Sequence, residues 1–277
     1  MTSSNQTFTL HYWPVIPGRG EFIRLAFESV KHPYKENNET ATKAFPYHFA
    51  VPLLEIGNSP NVQDTALKSN KSQKTKESQD VKSSKSDQSI FISQTAAILS
   101  YLAPILELDG VKSLQEEDQQ SIAIRRAQVL QLTATLLDLN NEVHDTHHPI
   151  SSAEVYEDQK EEAARRAQDL RKNRIPKFFT HFQTVLQNNS SSTDSGWLIG
   201  NDLTIADLTF FQVVDGLHFA FPKRIDALKK QGKHSGVFNL YQKVAQLPNI
   251  ANYLNSDRRK VYRRVLPTFR RRICWRA

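Results

Sequence analysis

The chain is poor in cysteine: among 277 residues only Cys274 is present, three positions from the C-terminal end. No intrachain disulfide, cysteine-rich metal site or cysteine nucleophile within a folded core is therefore available, which fits a reducing, cytoplasmic setting. Long apolar runs are missing as well. No stretch of about 18 apolar residues occurs, and the opening Met1-Thr2-Ser3-Ser4-Asn5-Gln6 lacks the basic and apolar regions of a secretory leader. These absences predict a protein without a membrane span.

With 39% hydrophobic residues, the chain has enough apolar material for one large core or two modest ones, and its length favours two domains. The net charge of +7 is concentrated at one end. Residues 257–277 hold nine Lys and Arg against the single acid Asp257, so the preceding 256 residues are close to neutral. The excess therefore marks a basic tail rather than a basic fold. Such a tail is usually solvated, although it offers a surface for nucleic acid or anionic lipid.

Two shifts in composition divide the remainder. Residues 58–89 are dominated by Ser, Lys, Gln, Asp and Asn, with Val62, Leu67 and Val81 isolated, and read as an inserted disordered loop. A polar break from Leu106 to Glu117 separates mixed strand and helix signals from a purely helical pattern and places a domain boundary near 105–116. The expected organisation is a first domain over 7–104 carrying the insertion, a linker over 105–116, an all-helical domain over 117–256, and the tail. In the first domain, 8–13 and 51–56 read as strands, 33–36 as a possible strand and 90–93 as a short one, with helices over 21–30 and 95–102. Helices are expected over 118–143, 155–173, 178–186 and from 205 towards 218. Thr204 and Asp207, flanked by Leu203 and Leu208, form a capping box with a hydrophobic staple at the start of the last.

Tyr12 closes the first apolar run and faces a loop, Pro14 to Gly18, leading to Arg19 and a helix. A phenol there is either core and rim packing or a hydrogen-bond donor to a thiolate or other anion at a helix N-terminus. Further along, His144, His147 and His148 stand at i, i+3 and i+4. Two histidines so spaced suit a metal, but no third ligand is defined and Pro149 ends the helix, so a pocket wall or helix terminus is the expected role.

Taken together, these residues resemble the cytosolic glutathione transferases over about residues 7–256. Tyr12-Trp13 matches the strand end of the tyrosine-using mu, pi and sigma classes, and Arg19-Gly20 with Glu21 to Leu25 matches the first helix. Val51-Pro52 matches the cis-proline turn, Ser93-Gln94-Thr95 the opening of a helix, and Thr204 to Leu208 the capping box. Residues 144–150, 156–161 and 219–224 look most like fungal members. The resemblance implies a thioredoxin-like α/β domain followed by an all-α domain, and a homodimeric, cytoplasmic enzyme of detoxification type using glutathione as co-substrate without a metal.

The resemblance also assigns residues. Tyr12 would hold the glutathione thiolate, with Trp13, Arg19, Lys43, Val51, Pro52, Gln94 and Thr95 binding the tripeptide and Asp138 reaching the neighbouring subunit's γ-glutamyl ammonium. The electrophile would lie against Trp13, Val15, Ile16, His144, His147 and His148. Departures are Ala50 where many relatives have Gln, Thr95 in place of Ser, and a loop before Arg19 that is one residue longer than in the pi and sigma pattern. The alternative is a glutathione-transferase-like scaffold that has lost turnover.

Overall fold

Strand β1 (Thr7–His11) alternates between exposed and buried side chains before ending on two buried ones, the pattern of a strand whose inner face meets a core. In this computed structural model, which describes residues 6–38, 48–57, 89–112, 114, 118–193 and 195–262, β1 joins β2 (Lys35–Asn37), β3 (Leu53–Gly57) and β4 (Ile90–Ser93). The sheet order is β2-β1-β3-β4, with β1 parallel to β2 and the other pairs antiparallel. Leu10 opposite Leu54, and Phe8 opposite Ile56, bring apolar side chains into register across the central pair.

Helix α1 (Gly20–Ser29) links the two parallel strands, and α2 (Thr95–Ile105) follows β4. All of α1 from Gly20 to Glu28 is buried, because it is covered by more than the sheet. On its other side lie α6 (Ile205–Ala220) and α9 (Pro248–Leu254) of the helical half: Tyr253 donates to Glu21 at 2.6 Å, and Asn249 donates to the Ser29 carbonyl at 2.8 Å. The first domain thus uses one helix for two interfaces.

The helical half opens with α3 (Gln119–His144), capped by Asp118, whose carboxylate accepts the Gln120 and Ser121 amides at 2.8 and 3.0 Å. A 3-10 turn (Tyr156–Gln159) leads to α4 (Lys160–Asp169), a π-helical turn (Leu170–Arg174) and α5 (Ile175–Thr193). The chain closes through α6, α7 (Pro222–Lys230), α8 (Ser235–Ala245) and α9. Proline sits at the start of both α7 and α9, where its missing amide costs no helical hydrogen bond.

Helix α6 is buried without a break from Ile205 to Val214, as expected of a helix at the centre of a bundle. Its capping box is formed: the Asp207 carboxylate accepts the Thr204 amide at 2.9 Å, and also the Leu198 amide at 2.9 Å. Around it, Phe182 meets Phe210 edge-on at 5.6 Å and Phe211 stacks on Tyr241 at 5.2 Å. Among the described residues, no helix is long and apolar enough to cross a membrane. Lys43, 58–88 of the expected insertion, and 263–277 of the expected tail lie outside the described residues.

Candidate functional site

Tyr12 leaves the end of β1 and lies under the turn that starts α1. Backbone comes so close that side chains are excluded. A Cβ on Gly18, whose φ is +45°, would stand 2.3 Å from the Tyr12 hydroxyl, and one on Gly20 would stand 2.7 Å from the ring. The hydroxyl accepts the Arg19 amide at 2.7 Å. Burial pushes the phenol above its ordinary value, and the Arg19 hydrogen bond and nearby guanidinium groups only partly oppose this. Tyr12 therefore keeps its proton at neutral pH. With its oxygen engaged by an N–H, that proton is the group it has left to offer.

The turn is held from behind by a buried ion network. Arg24 is fully buried, donates to Glu21 at 3.0 Å and to Glu36 at 2.9 Å, and also donates to the Pro17 carbonyl at 3.2 Å. Arg19 points the other way, with its guanidinium donating to the Asn141 side chain of α3 at 2.7 Å. The two arginines thus fasten opposite sides of the same loop.

A second set of groups gathers where β3 and β4 end. The Val51-Pro52 peptide is cis. Gln94 precedes α2 at φ +73°, in the region that favours glycine, and no side chain caps the helix. Thr95 is buried with its hydroxyl unpartnered. Free helix amides, a strained preceding residue and an unused hydroxyl occur together here, which suits an anionic group.

Between the domains lies a cavity of about 360 Å³. From the first domain Tyr12, Trp13, Ile16, Arg19 and Val51 line it; from the end of α3 and the following turn come Asn140, Val143, His144, His147, His148 and Ser152. Burial and the other two histidines push His147 down to about 4, and burial also lowers His144, so both are neutral near pH 7. Among the described residues, no group of three or more His, Cys, Asp and Glu is placed to hold a metal. Of the expected site residues, Pro52, Gln94 and Thr95 stand outside this lining, as does Val15, which is 42% exposed. Asp138 is exposed on α3, away from the cavity.

Residues 144–257 match the family model described as "Glutathione S-transferase, C-terminal domain". A glutathione S-transferase from Plasmodium yoelii yoelii is 19% identical over 258 residues, covering 88% of this chain and 92% of that protein. One from Plasmodium falciparum (isolate 3D7) is 27% identical over 90 residues, covering 32% of this chain but only 40% of that protein's length. The chain is thus similar to glutathione S-transferases in its helical half and, at low identity, over most of its length. The fold is the glutathione S-transferase fold: the structure of rat hPGDS complexed with a quinoline superposes with a TM-score of 0.59 at 20% identity, covering 92% of this chain and all of that one. The thioredoxin-like sheet and the helical domain correspond to the two parts of a glutathione S-transferase.

One wall of the cavity is not among the residues expected from the sequence. It comprises Gln212, Val213, Gly216 and Phe219 of α6, together with Tyr262. The spacing 212, 216, 219 is one helical face, but an apolar helix following a strong capping box reads as core. Tyr262 falls in the expected basic tail, yet residues 257–262 are docked on the fold. Arg258 pairs with Glu28 and Arg259 with Glu21, Arg259 also donates to Asp215 at 2.9 Å, and Tyr262 stacks on Phe219 at 5.0 Å. Paired acids and apolar contact tie Arg258, Arg259 and Tyr262 to the fold, with Arg259 largely buried; charge density alone could not reveal that.

Proposed function

We propose that this protein conjugates the glutathione thiolate to hydrophobic electrophiles, with Tyr12 as the thiolate-holding group. The observation that carries this reading is Tyr12, which lines a cavity between the domains, accepts the Arg19 N–H on its hydroxyl and retains a proton to donate. A free cysteine-like thiol has a pKa of about 8.5, so only a few per cent is anionic at pH 7. Donation from Tyr12 favours the anion, each unit of pKa lowered being worth about 1.4 kcal/mol.

In this reading the tripeptide runs from Val51 towards α2. Val51 offers its backbone beside Pro52, and the Thr95 hydroxyl with the uncapped start of α2 and Gln94 holds the γ-glutamyl carboxylate. Arg19 and Trp13 border the thiol, and Lys43 serves the glycyl carboxylate. The electrophile lies against Trp13, Ile16 and the apolar faces of His144, His147 and His148, with Val15 at the mouth. Two copies make the working unit. Phe49, 98% exposed just before Val51, is an apolar group that a second copy would cover, and exposed Asp138 is free to reach the partner's glutathione. A reducing cytoplasm and a detoxifying role fit the single cysteine and a broad apolar cavity.

The test is conjugation of an aryl halide by wild type and Tyr12→Phe, alongside spectroscopic titration of bound glutathione thiol. We expect the variant to lose about 100-fold in kcat/KM, with the bound thiol's pKa rising towards the free value. Glutathione binding without turnover in wild type would replace the enzyme with a glutathione-binding scaffold.

A further inference from the structure

Helix α7 turns Ile225 and Leu228 inward, and the charge on the rest of its surface is nearly all of one sign. From Pro222 to His234 the chain holds Lys223, Arg224, Lys229, Lys230 and Lys233 against one acid, Asp226. Lys223 and Lys230, two turns apart, share the face opposite the buried pair, and Lys233 follows in the turn before α8; all three are exposed. Elsewhere in the helical half arginines are matched by acids: Arg126 by Asp109, Arg166 by Asp145 and Arg174 by Glu142. None of the five cations on α7 and its turn forms an ion pair with a described residue.

The patch extends onto the start of α5. Arg171 lies over the ring of Phe221, the residue before α7, at 5.8 Å, and Lys172 and Lys177 follow it with no acid between them. Arg224 and Lys233 both bear on His234, whose Nε2 stands 3.2 Å from the Thr180 hydroxyl of α5. The outer face of α7, the turn after it and the start of α5 therefore meet at one place.

The other concentration of positive charge leaves the fold near the same corner. Tyr262 stacks on Phe219, which precedes Lys223 by so few residues that the two lie at most about 14 Å apart. Residues 263–277 continue from there with six arginines and no acid, and Val265, Leu266, Phe269, Ile273 and Trp275 are interleaved with them. That segment reaches about 50 Å when extended, several times the length of α7. Nucleic acid and an anionic bilayer would both match the charge, and the apolar residues decide between them. Val265, Leu266 and Ile273 have nothing to offer a phosphate backbone and no ring on which a base could stack. All five gain by leaving water at the boundary between headgroups and acyl chains.

We propose that α7 and residues 263–277 form one attachment surface for an anionic lipid bilayer. Lys223, Lys230 and Lys233 rest on the headgroups, while Phe269 and Trp275 bury their rings in the interface. The attachment is peripheral and needs no spanning helix. A single weak anchor gives only marginal, reversible binding, so the two parts act together.

The experiment is co-sedimentation of the full chain with vesicles of equal parts phosphatidylserine and phosphatidylcholine, and with vesicles of phosphatidylcholine alone. Wild type should bind only the first, and less tightly as salt is raised. The triple variant Lys223→Gln, Lys230→Gln, Lys233→Gln should bind about 100-fold more weakly at an unchanged melting temperature. The double variant Phe269→Ser, Trp275→Ser keeps every charge and should lose about tenfold or more. Wild-type binding to neither vesicle, or to both alike, would overturn the proposal, and so would a lysine variant that binds as wild type does. Duplex DNA is added as a competitor. If it strips wild type from the vesicles, and the aromatic variant binds vesicles and DNA as wild type does, the partner is nucleic acid and the bilayer assignment falls.

Discussion

The two ends of the cavity are built from different materials. Around Tyr12 the backbone does the shaping: Gly18 at φ +45°, Gly20 against the ring and the Arg19 amide on the hydroxyl. Around Tyr262 side chains do it, through the sequence of contacts from Asp215 to Arg259, Gln212 and the phenol. A backbone-made subsite tolerates few changes, because any Cβ collides. A side-chain-made one is adjustable by single substitutions. Under the proposed conjugation, the rigid end would hold the fixed co-substrate and the adjustable end the variable electrophile.

The same glycine-to-alanine change tests both ends. Gly20→Ala forces a carbon within 2.7 Å of the Tyr12 ring, which must move. We expect a loss of about 100-fold in conjugation, comparable to removing a positioned donor, and a lowered melting temperature. If activity survives within threefold, the backbone end is softer than its geometry implies.

A pH titration probes the floor between the two ends. His147 is held near 4 in the fold against an ordinary 6.5, so the unfolded chain takes up a proton first. The stability that neutral His147 provides is therefore complete above about pH 6.5 and lost as the pH falls towards 4. The loss should amount to about 3 kcal/mol at most. Urea unfolding of wild type and His147→Gln between pH 7 and 4.5 checks it, and the difference between the two proteins should narrow as the pH falls.

A smaller effect belongs to the α2 end. Thr95→Val deletes the unpartnered hydroxyl and leaves the volume almost unchanged. The KM for glutathione should rise about tenfold with kcat unaltered, and a fall in kcat instead would move Thr95 into the chemistry. The smallest effect is expected at Gly216→Ala, where the nearest atom lies at 3.5 Å, an ordinary contact. Helix propensity then dominates, with a gain of up to about 1 kcal/mol in stability read by thermal melting. The pair Gly20 and Gly216 would thus respond with opposite signs.

This contrast also explains which parts of the molecule were readable in the sequence. Tyr12, the turn to Arg19, Val51-Pro52 and the Thr204–Asp207 box are local features, each encoded within about ten consecutive residues, and each element stands close to its expected position. The expected helix over 155–173 is divided by a 3-10 turn and a π-helical turn that its Ala, Glu and Arg composition does not announce. Three closing helices, α7 to α9, were not drawn at all. The wall at Tyr262 was hidden for a plainer reason. Its partners are distant in the chain: Arg258 meets Glu28 and Arg259 meets Glu21, more than 200 residues away. A run of arginines looks solvated until the acids that neutralise it are located in space.

The carboxylate of Glu21 is where those distances converge. It is wholly buried and is reached by Arg24 from its own helix, by Tyr253 from α9 and by Arg259 from beyond it. Removing the helical half would strand this anion and its arginine in an interior with only part of their neutralising partners, a cost of several kcal/mol. The sheet domain is consequently a poor module to transplant. A chimera joined at residues 105–116 must carry α1 and the segment from α9 to Tyr262 from the same parent, although they lie more than 200 residues apart. Inheritance of these two segments is thus coupled, and the tail's first residues travel with the first helix.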